Sequence, residues 1–301
     1  MTTRPDKAPR ASVLDLGETA LAWLLLTPAC VLLAAIVVYP IGRLVYTSFF
    51  DLTLASGGRA KFVGLENYSL VLQDPTFWQA LTNTAIIVIT TVPGALIAGL
   101  ALALLANMPF KRRWPIRLAL LVPWALPLAF VGLIFAWFFH SQYGIINDVL
   151  GRFGIAPTIW FNSAGWSMAA VCITVVWKTS SFVALILLAG LQTIPRSLYE
   201  AADVDGAGRL KQFFEITLPM LKPSLVVAMI FRTLTALQTF DIPYTMTKGG
   251  PGHATETMAM LIHKTTIDFL DLGIGSTLAV ILSLISMVVA IFYQRSLKAG
   301  A

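Results

Sequence analysis

The sequence predicts an all-α polytopic membrane protein with six transmembrane helices, and three observations predict it. Of its 301 residues, 57% are hydrophobic and only 12% charged, about half the roughly 25% charge of a soluble globule. Six windows carry the about 20 apolar residues that a helix needs to cross a bilayer core: residues 20–46, 79–106, 116–139, 166–193, 223–246 and 272–294. Between the fourth and fifth lies a polar island with eight charged residues from Arg196 to Lys222, four of each sign. It is too polar to sit in lipid and too patterned to be a slack linker.

Residues 1–19 read as a solvated cytoplasmic tail. The apolar run of the first span is about 27 residues, against roughly 7–15 for the core of a secretory signal, so it is expected to remain as an anchor. In the second span Ala95, Gly99 and Ala103 recur every four residues, as Gly275, Ala279 and Ser283 do in the sixth. Such stripes let helix backbones approach closely. Pro93, Pro123 and Pro127 fall inside the second and third windows, where proline either kinks a helix or is tolerated.

Orientation follows from the basic residues. With the N-terminus cytoplasmic, the inner segments hold Arg4, Lys7, Arg10, Lys111, Arg112, Arg113, Arg117, Arg196, Arg209, Lys211, Lys222, Arg295 and Lys298. The outer ones hold Arg59, Lys61, Arg152, Lys248 and Lys264. Thirteen against five places both termini, including the tail 295–301, and the polar island in the cytoplasm of a plasma-membrane protein. The stretches 50–75, 140–165 and 247–271 then face outward. Net charge of +6 reflects this asymmetry and implies no nucleic acid. Cys30 and Cys172 lie inside apolar runs and His140, His253 and His263 lack ligand spacing, so neither a disulfide nor a metal site is expected.

Within the island, Pro195 opens a short helix, Ser197 to Ala202 form it, and Gly206 lets the chain reverse in a left-handed conformation. A second short helix through Phe213, Phe214 and Ile216 is expected to break at Pro219 and Pro223. The residues Glu200-Ala201-Ala202, Gly206, Ile216, Leu218 and Pro219 resemble the signature loop of permease subunits of ATP-binding-cassette importers: Glu-Ala-Ala, Gly after three residues, then Ile-x-Leu-Pro. The resemblance narrows to maltose-type carbohydrate permeases of the binding-protein-dependent inner membrane component family. It rests on Pro123-Trp124, Pro127, Trp137, Gly144 and Asn147, on Val176-Trp177-Lys178 and Ala189-Gly190-Leu191, and on Phe240-Asp241 with Thr247-Lys248-Gly249-Gly250-Pro251. Ser180-Ser181-Phe182 departs from the pattern, since relatives often carry a proline before the phenylalanine.

The resemblance implies a type I importer permease fold. It also implies that Glu200, Ala201, Ala202, Asp205, Gly206, Ala207, Ile216, Leu218 and Pro219 couple the chain to an ATPase subunit. The implied partners are a second homologous permease, two ATP-binding subunits and an extracytoplasmic solute-binding protein, the last touching the outer loop after the fifth span. No cofactor is expected on this chain, ATP and Mg2+ being held by the ATPases. No Gly-x-x-x-x-Gly-Lys-Ser/Thr loop, His-Glu-x-x-His or Gly-x-Ser-x-Gly elbow occurs, so the subunit is expected to be a non-catalytic pore component. A secondary transporter or channel would explain buried cations but gives no reason for the island.

For the substrate path, Lys178 and Arg232 lie near mid-span, where a cation costs about 2.5–3.5 kcal/mol on insertion scales. Each either lines a wet path or is structural, pairing with carbonyls or Asp241 or snorkelling outward. Trp177, Thr179, Gln238 and Asp241 add the aromatic face and hydrogen-bonding groups that sugar sites use, and positions 234, 238, 241 and 245 share one face of the fifth helix. The resemblance implies a sugar, a disaccharide such as maltose or trehalose. The two cations leave open a phosphorylated solute such as glycerol 3-phosphate. The segment 253–271, with Met258, Met260, Leu261 and Ile262, reads as an amphipathic stretch lying at the interface.

Overall fold

The computed structural model describes residues 17–108 and 114–299. Most of the first tail, with Arg4, Lys7 and Arg10, the loop residues Lys111, Arg112 and Arg113, and the terminal pair 300–301 lie outside the described residues. Among the described residues five helices are long and apolar enough to cross a membrane: Thr19–Thr47, Pro75–Asn107, Ala164–Gln192, Arg209–Leu237 and Leu272–Arg295. The third window forms a bent pair, Trp114–Ala125 and Leu128–Phe138, folded by 96° at the break, and brings the number of spans to six if the pair is taken as one. A two-stranded antiparallel ribbon, Phe50–Asp51 against Lys61–Phe62, follows the first span.

The fourth span is the axis of the bundle. Its residues Val171, Val175, Val183, Ala184 and Leu187 are buried, and it packs along the second span. Gly99 explains how close they come. A Cβ there would stand 2.5 Å from Val183 Cγ1 and 3.0 Å from the Ser180 carbonyl. Ala95, Gly99 and Ala103 are all buried at this seam, so the small-residue stripe serves as a packing surface. The stripe in the sixth span does not: Gly275 packs on Thr266 and Ser283 faces outward.

Prolines shape the other spans. Pro40 and Pro219 have no N–H to offer the carbonyls of Ile36 and Glu215, and the chain widens into π-helical turns centred there, Ala34–Val38 and Phe213–Thr217. Neither proline ends its helix. The second short helix of the island, Arg209–Gln212, therefore runs through its π turn into the fifth span, Leu218–Leu237, where a break at Pro219 and Pro223 was expected.

Two of the expected spans, the third and the fifth, are broken. In the third, Pro127 bars Leu126 from helical geometry and restarts the chain as the cap of Leu128–Phe138, with φ −58° and ψ 139°. The fifth stops at Leu237, and a short helix Asp241–Thr247 follows. Pro243 cannot donate to the Thr239 carbonyl, which instead accepts the Thr257 hydroxyl at 2.7 Å. The helical face through 234, 238, 241 and 245 therefore does not exist. Gly132 lets the two broken pieces nest, since a Cβ there would lie 1.8 Å from Thr245 Oγ1.

The stretch 253–271 is part of the protein core. Met258 has no exposure, and Met260 and Leu261 are buried with it. Met258, Leu261, Phe77 and Leu278 form one cluster, and Asn83 Nδ2 donates to the His253 and Glu256 carbonyls at 2.8 and 2.9 Å. The apolar face that suggested an interfacial helix is satisfied by neighbouring spans.

Candidate functional site

A cavity of about 530 Å3 opens where the third span folds back against the fourth and fifth. Trp124, Leu126, Pro127 and Leu128 from the bend, Lys178, Thr179 and Phe182 from the fourth span, and Phe231, Arg232 and Thr235 from the fifth line it. A smaller cavity of about 100 Å3 adjoins it through Leu128, Thr179, Arg232 and Thr235, and extends past Gln238 and Asp241 at the break in the fifth span. Helix breaks thus supply the space.

Lys178 holds the bend together. A helix end leaves its last carbonyls without partners, and Lys178 Nζ donates to two of them, those of Pro123 and Trp124, at 2.7 and 2.6 Å. With the side chain 6% exposed, those bonds replace the water that an ammonium otherwise requires.

Arg232, 4% exposed, is anchored differently. Its Nη2 donates to Thr91 Oγ1 at 2.8 Å and its Nη1 to Thr235 Oγ1 at 3.1 Å, while Nε is buried without an acceptor. No carboxylate lies within 4 Å of either cation among the described residues. Of the structural alternatives, pairing with carbonyls is what Lys178 does, and pairing of Arg232 with Asp241 is absent, although both line the smaller cavity.

Of the expected substrate-path residues, the structure brings Lys178, Thr179, Arg232, Gln238 and Asp241 to one connected space. Trp177 is not there. It points to another side of its helix, packing on Phe135 with ring centroids 5.0 Å apart. Sequence reasoning missed Thr91, Thr235, Phe182 and Phe231 as lining or anchoring residues. Thr235, one turn after Arg232, carried a readable signal; Thr91 carried none.

The island forms a compact knob by itself. Arg196–Val204 is helical, and Gly206 adopts φ +73°. Ala207 N–H reaches the Ala202 carbonyl at 2.8 Å and Gly206 N–H the Asp203 carbonyl at 3.1 Å, the paired bonds of a Schellman turn. Gln212 Nε2 ties the two arms by donating to Asp203 Oδ1 and the Ala207 carbonyl, at 2.6 and 2.8 Å. Tyr199 and Thr217 hydroxyls meet at 2.9 Å. Glu200, Ala201, Asp205, Gly206 and Pro219 are exposed, whereas Ala202, Ala207, Ile216 and Leu218 are half-buried. Val204, Leu210 and Phe214, which the signature does not include, are 88%, 77% and 60% exposed and give the knob an apolar surface.

Residues 95–298 match the model of the family described as binding-protein-dependent transport system inner membrane component. The chain belongs to this family. Among its relatives is the sulfoquinovosyl glycerol transport system permease protein SmoG of Agrobacterium fabrum, 64% identical over 95% of this chain and 92% of that protein. The trehalose/maltose transport system permease protein MalF of Thermococcus litoralis is 36% identical over 94% and 96%. The fold is close to that of a bacterial ABC transporter involved in import of the acidic polysaccharide alginate, with a TM-score of 0.81, 19% identity and coverage of 93% and 95%. As a family member with a type I ABC importer permease fold, the chain is a multi-pass membrane transport component rather than an enzyme. Among the described residues no three His, Cys, Asp or Glu side chains converge on a metal-sized site.

Proposed function

We propose that this permease subunit imports a sugar bearing a sulfonate, sulfoquinovosyl glycerol or a close glycoside of it, through an ATP-binding-cassette importer. The observation that carries the reading is a sugar-sized cavity with two cations and, among the described residues, no carboxylate paired with either; the 64% identical relative supports the same substrate. Phe182 and Phe231, their centroids 6.3 Å apart, offer apolar faces, and Thr179, Gln238 and Asp241 offer partners for hydroxyls.

In this reading both termini are cytoplasmic, and a second permease completes the pore. Two ATPase subunits, holding ATP and Mg2+, grip the knob through Glu200, Ala201, Ala202, Asp205, Gly206 and Ala207 and the exposed Val204 and Leu210. Ile216, Leu218 and Pro219 carry its movement into the fifth span, whose helix is continuous from the knob to Leu237. ATP binding favours the pore state open to the extracytoplasmic binding protein, and hydrolysis restores the other.

The test is uptake by the reconstituted complex with its binding protein. Sulfoquinovosyl glycerol is expected to be accumulated in an ATP-dependent manner, ahead of trehalose, maltose and glycerol 3-phosphate. Accumulation of trehalose or maltose alone would return the substrate to the neutral disaccharides that the trehalose/maltose relative suggests.

A further inference from the structure

The two cations of the cavity look equivalent by charge, yet their bonding separates them. Lys178 has three donors, and two are committed to the Pro123 and Trp124 carbonyls. Moving it onto a ligand would uncover both carbonyls in an apolar surround. Arg232 has five donors in a fixed fork, and only two hydrogen bonds hold it, both to neutral threonine hydroxyls. Its Nε is buried and makes no hydrogen bond.

Burial this deep ordinarily satisfies every donor, and a guanidinium ordinarily meets an anion. The missing group is thus an acceptor with negative charge and at least two oxygens in one plane. A guanidinium fork, with its planar N–H donors, matches that geometry bidentately. Thr91, on the second span, and Thr235 each hold one Nη of the guanidinium by a single hydrogen bond, which restrains the fork without neutralising it. The lone carboxylate of the smaller cavity, Asp241, forms no ion pair with it and leaves its charge uncompensated.

Resting on the sulfonated-sugar reading above, we infer that Arg232 is the residue of this chain that reads the anionic head of the substrate. Lys178 is a positioning residue for the bend of the third span. The sugar body then extends toward Thr179, Gln238 and Asp241. Selectivity for charge resides in one fork that Thr91 and Thr235 hold in place.

The test compares two glycosides that differ only at the charged group, sulfoquinovosyl glycerol and glucosyl glycerol, in the complete reconstituted complex. The readout is the ratio of their uptake rates, which cancels differences in protein abundance. Wild type is expected to favour the sulfonated glycoside at least about tenfold, one strong charge-assisted contact. Arg232→Gln is expected to bring the ratio near one, and Arg232→Lys, which keeps charge but loses the fork, to an intermediate value. Thr91→Val is expected to lower the ratio by about threefold by releasing Nη2.

An unchanged ratio in Arg232→Gln overturns the assignment while leaving sulfonated-sugar import standing; if that variant transports neither glycoside, an unchanged ratio in Arg232→Lys does the same. Equal wild-type uptake of both glycosides also overturns it. Wild-type failure to take up the sulfonated glycoside overturns the functional reading, and this inference with it.

Discussion

The knob at 196–219 and the mid-span cavity are built on opposite plans. The knob closes through residues near one another in sequence: five positions separate the partners of its turn, Ala202 and Ala207, and 18 those of its longest brace, Tyr199 and Thr217. The cavity draws Lys178 to carbonyls 55 and 54 positions away, and Arg232 to a hydroxyl 141 away. Local closure makes a rigid body whose shape survives movement of the spans. Long-range closure makes a space whose shape depends on how the spans sit. An importer needs both, one part to be pushed and one to change.

The sharpest way to break this comparison is at the turn. Gly206→Pro imposes φ near −65° where φ is +73° and removes the N–H that reaches Asp203. Distorting the Schellman turn costs about 3 kcal/mol, two hydrogen bonds and the backbone strain, or on the order of 100-fold in uptake if the turn carries coupling. Uptake counted per permease in the membrane is the measurement, and undiminished transport would remove the knob from the drive. Glu200→Lys reverses the charge at an exposed position and is expected to lose uptake with the knob intact.

Next in size is Lys178→Met, which keeps an unbranched apolar stem one atom shorter and leaves two carbonyls in the bend unpaired. At about 1–3 kcal/mol for each buried unsatisfied group, the bend loosens. Uptake is expected to fall about tenfold for sulfonated and neutral glycosides alike. A change confined to the sulfonated one would give Lys178 the reading role assigned to Arg232.

The same contrast decides what the sequence could reveal. Gly206, its helix, and the signature around it were legible because a left-handed turn and its capping are local chemistry. The six spans were legible as windows of apolar composition. Their breaks were not: Pro40, Pro93, Pro219 and Pro223 stay inside helices, and Pro127 ends one, so proline alone does not separate the outcomes. Lys178 and Arg232 were visible as misplaced cations, yet their partners, Pro123 and Thr91, come from other spans. Met258 and Leu261 had an amphipathic pattern that fits lipid or protein equally, and the neighbouring spans decided it.

A smaller effect is expected where the two broken helices nest. Gly132→Ala places a methyl 1.8 Å from Thr245 Oγ1 and 3.1 Å from its Cβ. Overpacking of this kind costs about 1–3 kcal/mol, enough to lower membrane abundance several-fold. Thr245→Ala in the same chain removes the hydroxyl and is expected to restore most of it. If the pair is no better than the single variant, the contact between these pieces is not what holds the bend closed.

The smallest expected effect separates stiffness from shape within the knob. Gln212→Ala removes the bonds to Asp203 and Ala207 but leaves the Schellman turn and the Tyr199–Thr217 contact in place. One net hydrogen bond of about 0.7 kcal/mol corresponds to about a threefold loss of uptake. ATPase stimulation by loaded binding protein should fall with it, because a flexible knob absorbs part of the movement it receives. Full uptake in this variant would locate the rigidity in the glycine turn alone, and the local plan of the knob would then need only six residues, Ala202 to Ala207, to hold its form.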